Sequence, residues 1–414
     1  MTTTTGTMAP RPINTTGLPS SLDEVVDRAR TLRPELEKDA HEIDAKGVDP
    51  TRNMRLISEA GINAINVPAE LGGLWTGPSF GGWKQTIDTL SELSAADGST
   101  GQCWVSSTLV AREIFAAHEL PVSTREQIAK EYLFEGRRFV ASNAETGGTG
   151  RVIGRHVDGG IIVSGVKTFN TNSGGGGRDF LSVSFSLLSK DGNPDNGTRH
   201  HALIRIDDPA IAAGHDWDNM GQRGTYSQTI EYKDVFVPDG WHFPAHVADP
   251  YFFCAAMLLH AGLLQGIGEG AYAAAINFIK QLNRPSMPKF ETATNDPLIH
   301  RQLGDMSTAL AASRALMLAV AEELEAPERI ANPEVMAIKG FRAKVASTTA
   351  GMEVSSRIHD LTGARSTSNK FRLDRFWRNA RTFGSHDSID SKNAFIGAFD
   401  LAGQLPAIPD YIRI

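Results

Sequence analysis

The chain has 414 residues, a net charge of −7, and a composition that is 41% hydrophobic and 21% charged, which predicts a soluble, globular protein of two or three domains. The acidic balance excludes the basic face expected of a nucleic-acid-binding protein, and no apolar run reaches membrane-span length; Gly, His and Glu interrupt the longest candidate, 255–279. Two cysteines, Cys103 and Cys254, lie far apart and make neither a disulfide framework nor a zinc pattern, and His200 and His201 lack ligand partners at useful spacing, so no metal site is expected and the location is expected to be cytoplasmic.

Residues 1–18 are polar, have no basic stretch followed by an apolar core, and are expected to form a disordered tail rather than a signal peptide. An all-α domain is predicted over 19–137. Ser21, Leu22, Asp23 and Glu24 form a capping box, and Val25, Ala29, Leu32 and Leu36 follow at helical spacing. Further helices are predicted at 51–60, stopping at Gly61, and at 83–96, 102–118 and 124–133, with a rigid turn at 67–73 (VPAELGG).

The pattern changes at Arg138. Strands are predicted at 139–142, 160–163, 180–188, 201–206 and 227–232, separated by turn residues such as Asp158, Gly159 and Gly160, the segment 191–194 (DGNP), and Asp239 with Gly240. Their spacing predicts a small β-barrel or sandwich over 138–246. From 247 to 414 the helical period returns, with helices predicted at 257–281, 298–325, 334–361, 371–380 and 389–402. Leu303, Met306, Leu310, Met317, Val320 and Leu324 make one apolar stripe, and Asn332 with Pro333 forms a helix start. The fold class is therefore α+β: an N-terminal helical domain, a central β domain and a C-terminal four-helix bundle.

Five segments taken in order resemble the acyl-CoA dehydrogenase superfamily: 67–73 (VPAELGG), 143–149 (NAETGGT), 167–172 (KTFNTN), 217–225 (WDNMGQRGT) followed by 234–238 (DVFVP), and 375–381 (RFWRNAR). The departures are informative. A dehydrogenase of this kind needs a carboxylate base. Residues 365–372 (RSTSNKFR) hold no acid, residues 251–268 hold no Asp or Glu, and 283–290 (NRPSMPKF) stands where the family has its Arg-x-x-Phe-Gly turn. Residues 375–382 (RFWRNART) with Ser385, His386 and Asp387 are similar to one branch, the two-component (group D) flavin-dependent monooxygenases that act on dibenzothiophene, sulfonates, phenols and amines.

This resemblance implies a homotetrameric oxygenase that takes reduced FMN or FAD from a separate NAD(P)H-dependent flavin reductase. With O2 as co-substrate it would form a C4a-hydroperoxyflavin and oxygenate a small apolar or aromatic substrate bearing sulfur, nitrogen or a phenol. The missing Arg-x-x-Phe-Gly turn leans toward FMN. The resemblance places Asn143 and Thr171 at the flavin ring edge, Phe169 against the ring, and Gly148, Thr149 and Thr225 toward the ribityl or phosphate part. Arg284 becomes a candidate phosphate partner. His386 is the candidate acid/base, since histidine titrates near neutrality, with Asp387 or Arg381 setting its charge; Arg381 is also counted with the cofactor-binding residues. Trp104, Trp217 and Phe252 are candidate walls of a substrate cavity. The competing readings are an acyl-CoA dehydrogenase with a relocated base and a non-catalytic binding protein on the same fold.

Overall fold

A computed structural model describes residues 17–76, 81–145, 151–175, 177–190, 198–245, 250–326 and 333–404. Gly148, Thr149, the 191–194 turn, Asn332 and almost all of the expected tail lie outside the described residues, as does the Phe252 side chain. The chain opens with α1 (Leu22–Lys46), α2 (Thr51–Glu59), α3 (Trp83–Ala96), α4 (Gly98–Ala116) and α5 (Val122–Phe134). The capping box at α1 is half realised: Ser21 Oγ accepts the Glu24 N–H at 3.2 Å, but Glu24 turns its carboxylate to the N–H and hydroxyl of Ser20. Helix α4 begins four residues before its predicted start. Buried Asp97 caps it, accepting from the Thr100 N–H at 2.7 Å, and Gly98 is there for closeness rather than for a turn: a Cβ would sit 2.9 Å from Asn379 Nδ2.

The middle of the chain is one mixed sheet built from β1 (Phe139–Ser142), β2 (Ile153–Val157), β3 (Gly160–Asn170), β4 (Phe180–Leu187), β5 (Thr198–Arg205), β6 (Ile211–Ala213), β7 (Gln228–Pro238) and β8 (His242–Pro244). Its order is β6-β7-β3-β2-β4-β5-β8. Strand β4 divides its length: residues 180–183 pair in parallel with β1, residues 186–187 pair in parallel with β2, and β5 pairs antiparallel along the whole of β4. Strand β2 lacks apolar alternation and is mostly exposed, which hid it in the sequence; the tight hairpin with β3 holds it in place. Val140, Ile161, Val163, Leu181, Val183 and Phe185 are among the residues that fill the sheet's own core.

Helices α6 (Pro250–Leu282), α7 (Pro297–Leu324), α8 (Pro333–Thr362), α9 (Asp374–Gly384) and α10 (Ile389–Ala402) complete the fold. On α7 the predicted stripe is buried at Met306, Leu310, Met317, Val320 and Leu324. The apolar core under these helices is continuous with that of α1, α3 and α4, so the two helical parts share one interior. No described helix is long and apolar enough to cross a membrane.

The three parts meet at α9. Asp44 at the end of α1 is 2% exposed; its two oxygens take Arg378 Nη1 at 2.8 Å and Nη2 at 2.6 Å, and Arg372 adds a third contact at 3.1 Å. Burial alone would push the Asp44 carboxyl up, but the two guanidiniums outweigh it and hold its pKa below the usual value. Arg378 also donates to the Met220 carbonyl, and Asn379 Oδ1 accepts the Gln222 N–H at 2.7 Å. Gly221 lies so close that a Cβ would stand 2.0 Å from the Arg378 carbonyl oxygen. Asp44→Asn removes the carboxylate that Arg372 and Arg378 share, leaving Arg378 only its ion pair with Asp374, and is expected to lower stability by roughly 3 kcal/mol, read as a fall in the urea midpoint; an unchanged midpoint would show that this junction does not hold the domains.

Candidate functional site

Two loops face each other over α4: the end of β3 with the residues after it (169–173), and the segment leading into β7 (215–227). Among the described residues eight non-glycines have positive φ, and five are here: Phe169, Asn172, His215, Gln222 and Tyr226. Such backbone costs energy and persists where its surroundings over-determine it. They do so here. The Asn172 amide donates to the Phe139 carbonyl and Ser107 Oγ, both at 3.0 Å, and the Asn170 amide donates to the carbonyls of Lys167 and Gln228. The Asn172 N–H reaches the Thr225 carbonyl at 2.9 Å, tying the loops together.

Between the loops runs a chain of uncharged polar groups. Gln102 Nε2 on α4 donates to Thr171 Oγ1 at 3.3 Å, Thr171 Oγ1 lies 2.8 Å from Ser227 Oγ, Ser227 Oγ lies 2.8 Å from Thr225 Oγ1, and Thr225 donates to the Gln222 carbonyl at 2.9 Å. Beside it Phe169 is 54% exposed, an unusual state for an aromatic residue, with its ring edge-on to Trp217 at 6.2 Å. The Trp217 indole donates to the Gln222 carbonyl, and Trp217 lines a cavity of about 290 Å³ with Lys46, His215, Arg223, Tyr226 and Gln228. Asn143 is exposed at the end of β1. Its carbonyl accepts from fully buried Lys167, which also pairs with Glu145 at 2.5 Å.

His386 lies just beyond α9. Its ring stacks on Phe383 at 5.6 Å and meets His260 of α6 edge-on at 5.2 Å. The residue is exposed on its outer edge, yet protein crowds the ring; this desolvation first, then Lys344, pulls its pKa below the usual histidine value, against the opposing pull of Asp387. Asp387 is held elsewhere: it accepts from Lys344 at 2.7 Å and Lys392 at 2.6 Å, two lysines each 1% exposed. Buried His260 is depressed further, by burial first and then by Lys344, His386 and Lys392; its Nδ1 has no hydrogen-bond partner among the described residues.

The structure thus brings together Thr171, Thr225, Phe169 and Trp217, and ties them through Asn379 and Arg378 to the helix that leads to His386. Other predicted residues stand apart. Trp104 is fully buried in the helical core, its indole donating to Asn63. Arg284 is exposed in the connection between α6 and α7, and Arg381 is exposed with Nη1 3.6 Å from the Met352 sulfur. Among the described residues no three His, Cys, Asp or Glu side chains are placed to hold a metal ion. Sequence reasoning overlooked Gln102, Ser227 and His260. Only His260 carried a signal, as a lone histidine in an apolar helix.

Residues 258–391 match the acyl-CoA dehydrogenase C-terminal domain. Dibenzothiophene monooxygenase of Rhodococcus erythropolis is 29% identical over 92% of this chain and 94% of its own length. A probable FMNH2-dependent monooxygenase of Pseudomonas putida, SfnC, is 27% identical over 92% of this chain and 95% of its own. TdsC from Paenibacillus sp. A11-2, solved with FMN and indole, superposes with a TM-score of 0.83 at 23% identity, covering 94% of this chain and 99% of that one, and establishes the fold. Over nearly its whole length the chain is similar to flavin monooxygenases of the acyl-CoA dehydrogenase-like kind. In this chain the polar groups and the histidine pair occupy the ground between the sheet and the bundle.

The histidine pair gives a pH dependence. A histidine whose folded pKa is depressed contributes stability that is present above its unfolded value, about 6.5, and is lost as the pH falls through the folded value. His260→Phe keeps a ring against Phe383 and removes that titration. It is expected to flatten the fall of the thermal midpoint below pH 6.5; an acid limb as steep as that of the parent protein would refute the assignment.

Proposed function

We propose that this chain is the oxygenase component of a two-component system. It takes reduced FMN from a separate NAD(P)H-dependent reductase and inserts one oxygen atom of O2 into a small apolar or aromatic substrate bearing sulfur, nitrogen or a phenol. The carrying observation is the uncharged chain from Gln102 to Gln222 beside the exposed Phe169 ring. The site fits a flavin: Phe169 offers an open aromatic face, Thr171 a half-buried hydroxyl, and Gln102 a buried Oε1 with no partner among the described residues. The FMNH2-dependent name of the Pseudomonas relative and the FMN in the TdsC structure support the choice of flavin.

When bound, reduced FMN supplies the activation of dioxygen. Phe169 would pack against the ring, and Thr171 and Asn143 would contact its polar edge; Thr225, expected at the ribityl or phosphate part, is fully buried and would act through Ser227 and Thr171. Neutral His386 holds an acceptor nitrogen and deprotonates a substrate O–H, S–H or N–H, or passes a proton outward. Lys344 and Lys392 help keep it neutral while Asp387 balances them. Trp217 supplies an apolar wall. The dehydrogenase alternative lacks its base: the first acid of α6 is Glu269, and it is held by Arg314 at 2.9 Å and Gln265 at 2.8 Å.

The test is turnover with reduced FMN regenerated by an added reductase, over a panel of thiophenes, sulfonates, phenols and amines under 18O2. Product carrying one 18O is expected. His386→Ala should cut its rate about 100-fold while O2 uptake continues as hydrogen peroxide. Reduction of bound flavin by an acyl-CoA thioester, with no labelled product from any member of the panel, would replace this reading with the dehydrogenase one.

A further inference from the structure

The chain of uncharged groups has a direction. A carbonyl oxygen cannot donate, so the contact between Thr225 and the Gln222 carbonyl takes the single Thr225 hydroxyl proton. The contact between Thr225 and Ser227 must then use the Ser227 proton, and the contact between Ser227 and Thr171 must use the Thr171 proton. Thr171 is left to accept from the Gln102 amide. Four contacts use four hydrogens, one from each side chain. Turning the Gln102 amide over would leave three hydroxyl protons for the same four contacts and would bury an unpaired NH2 group, so the hydrogen count itself fixes the amide.

Gln102, Ser227, Thr225 and Gln222 are all buried, and Thr171 alone in the chain is half-buried. The Thr171 proton therefore points inward to Ser227, and what Thr171 presents outward is a lone pair. Oxidised and reduced isoalloxazine rings differ at N5: the reduced ring carries a hydrogen there, the oxidised ring a lone pair. We propose that the relay from Gln102 through Thr171, Ser227 and Thr225 to the Gln222 carbonyl is a selectivity device. It holds the Thr171 hydroxyl as an acceptor and so favours reduced over oxidised flavin. The inference rests on the flavin reading given above, and makes Gln102, Ser227 and Thr225 positioning residues that act through Thr171.

Two consequences separate this from a merely structural role. Deleting the Ser227 hydroxyl frees the Thr171 proton to turn outward and donate to the bare N5 of an oxidised ring. Deleting the Thr171 hydroxyl as well leaves nothing to turn. The experiment measures dissociation constants of oxidised FMN, and anaerobically of reduced FMN, for the full-length parent, Ser227→Ala, Thr171→Val and the double variant. The ratio of the oxidised to the reduced constant is expected to fall about tenfold in Ser227→Ala, the worth of one hydrogen bond. It should not change when Ser227→Ala is added to Thr171→Val. Thr171→Ser, which keeps the hydroxyl, should retain the parent ratio. If parent and variants bind both flavins with one common ratio, the relay is overturned while the flavin reading stands. If the parent binds neither form, the flavin reading itself falls and the relay with it.

Discussion

The buried carboxylate of Asp44 is the constraint on which the rest of this structure depends. It sits at the end of the first helix and is gripped by two arginines from the last part of the bundle. A charge so placed is tolerable only with its partners in register, because an unpaired buried ion is far more costly than the pair is favourable. Arg378 cannot satisfy Asp44 without also meeting the Met220 carbonyl, and its neighbour Asn379 cannot help meeting the Gln222 N–H. The strained turn of the β domain is thereby set against a helix that is itself fixed by the opening helix. The position of the uncharged chain follows from that seating.

The site separates its charges from its hydroxyls. Around Thr171 every group that is hydrogen-bonded into the chain is neutral, so the chain's polarity comes from the direction of its protons. Around His386 there are full charges, but they are arranged in a closed group, two buried lysines on one carboxylate, which leaves the two imidazoles to feel a net positive field. A neutral imidazole keeps one N–H and one lone pair, and the nearby cations weaken that lone pair as a base. The Thr171 side thus presents a lone pair outward, while each neutral imidazole can both accept and donate.

Much of the fold was legible because apolar periodicity marks long helices well. The stripe on α7 and the limits of α2, α3 and α10 appear where the spacing puts them. The elements that were hidden are those whose reason lies in another part of the chain. Gly98 and Gly101 suggest a loop, yet they lie in a helix capped by Asp97, where a Cβ at either would meet Asn379 or Ser94. Strand β2 has no pattern of its own and exists because β3 folds back on it. The same holds at the site. Asn143, Phe169, Thr171 and Thr225 could be proposed because they stand in recognisable motifs. Gln102 and Ser227 could not, because their part is defined by hydrogen bonds across 69 and 56 residues of sequence. Of Asp387 and Arg381, both expected to set the charge of His386, Asp387 does act on it through space, although its oxygens are taken by Lys344 and Lys392.

The sheet carries one more consequence. Its order ends on β6 and β8, strands of three residues each, and β1, the branch beside β4, has four. An incoming strand that paired with β6, β8 or β1 would find a ladder of that length, and Pro244 at the end of β8 offers no N–H to extend it. Short margins of this kind guard against edge-to-edge aggregation. A partner strand laid on one of these three margins would gain few backbone hydrogen bonds and would need side-chain contacts as well.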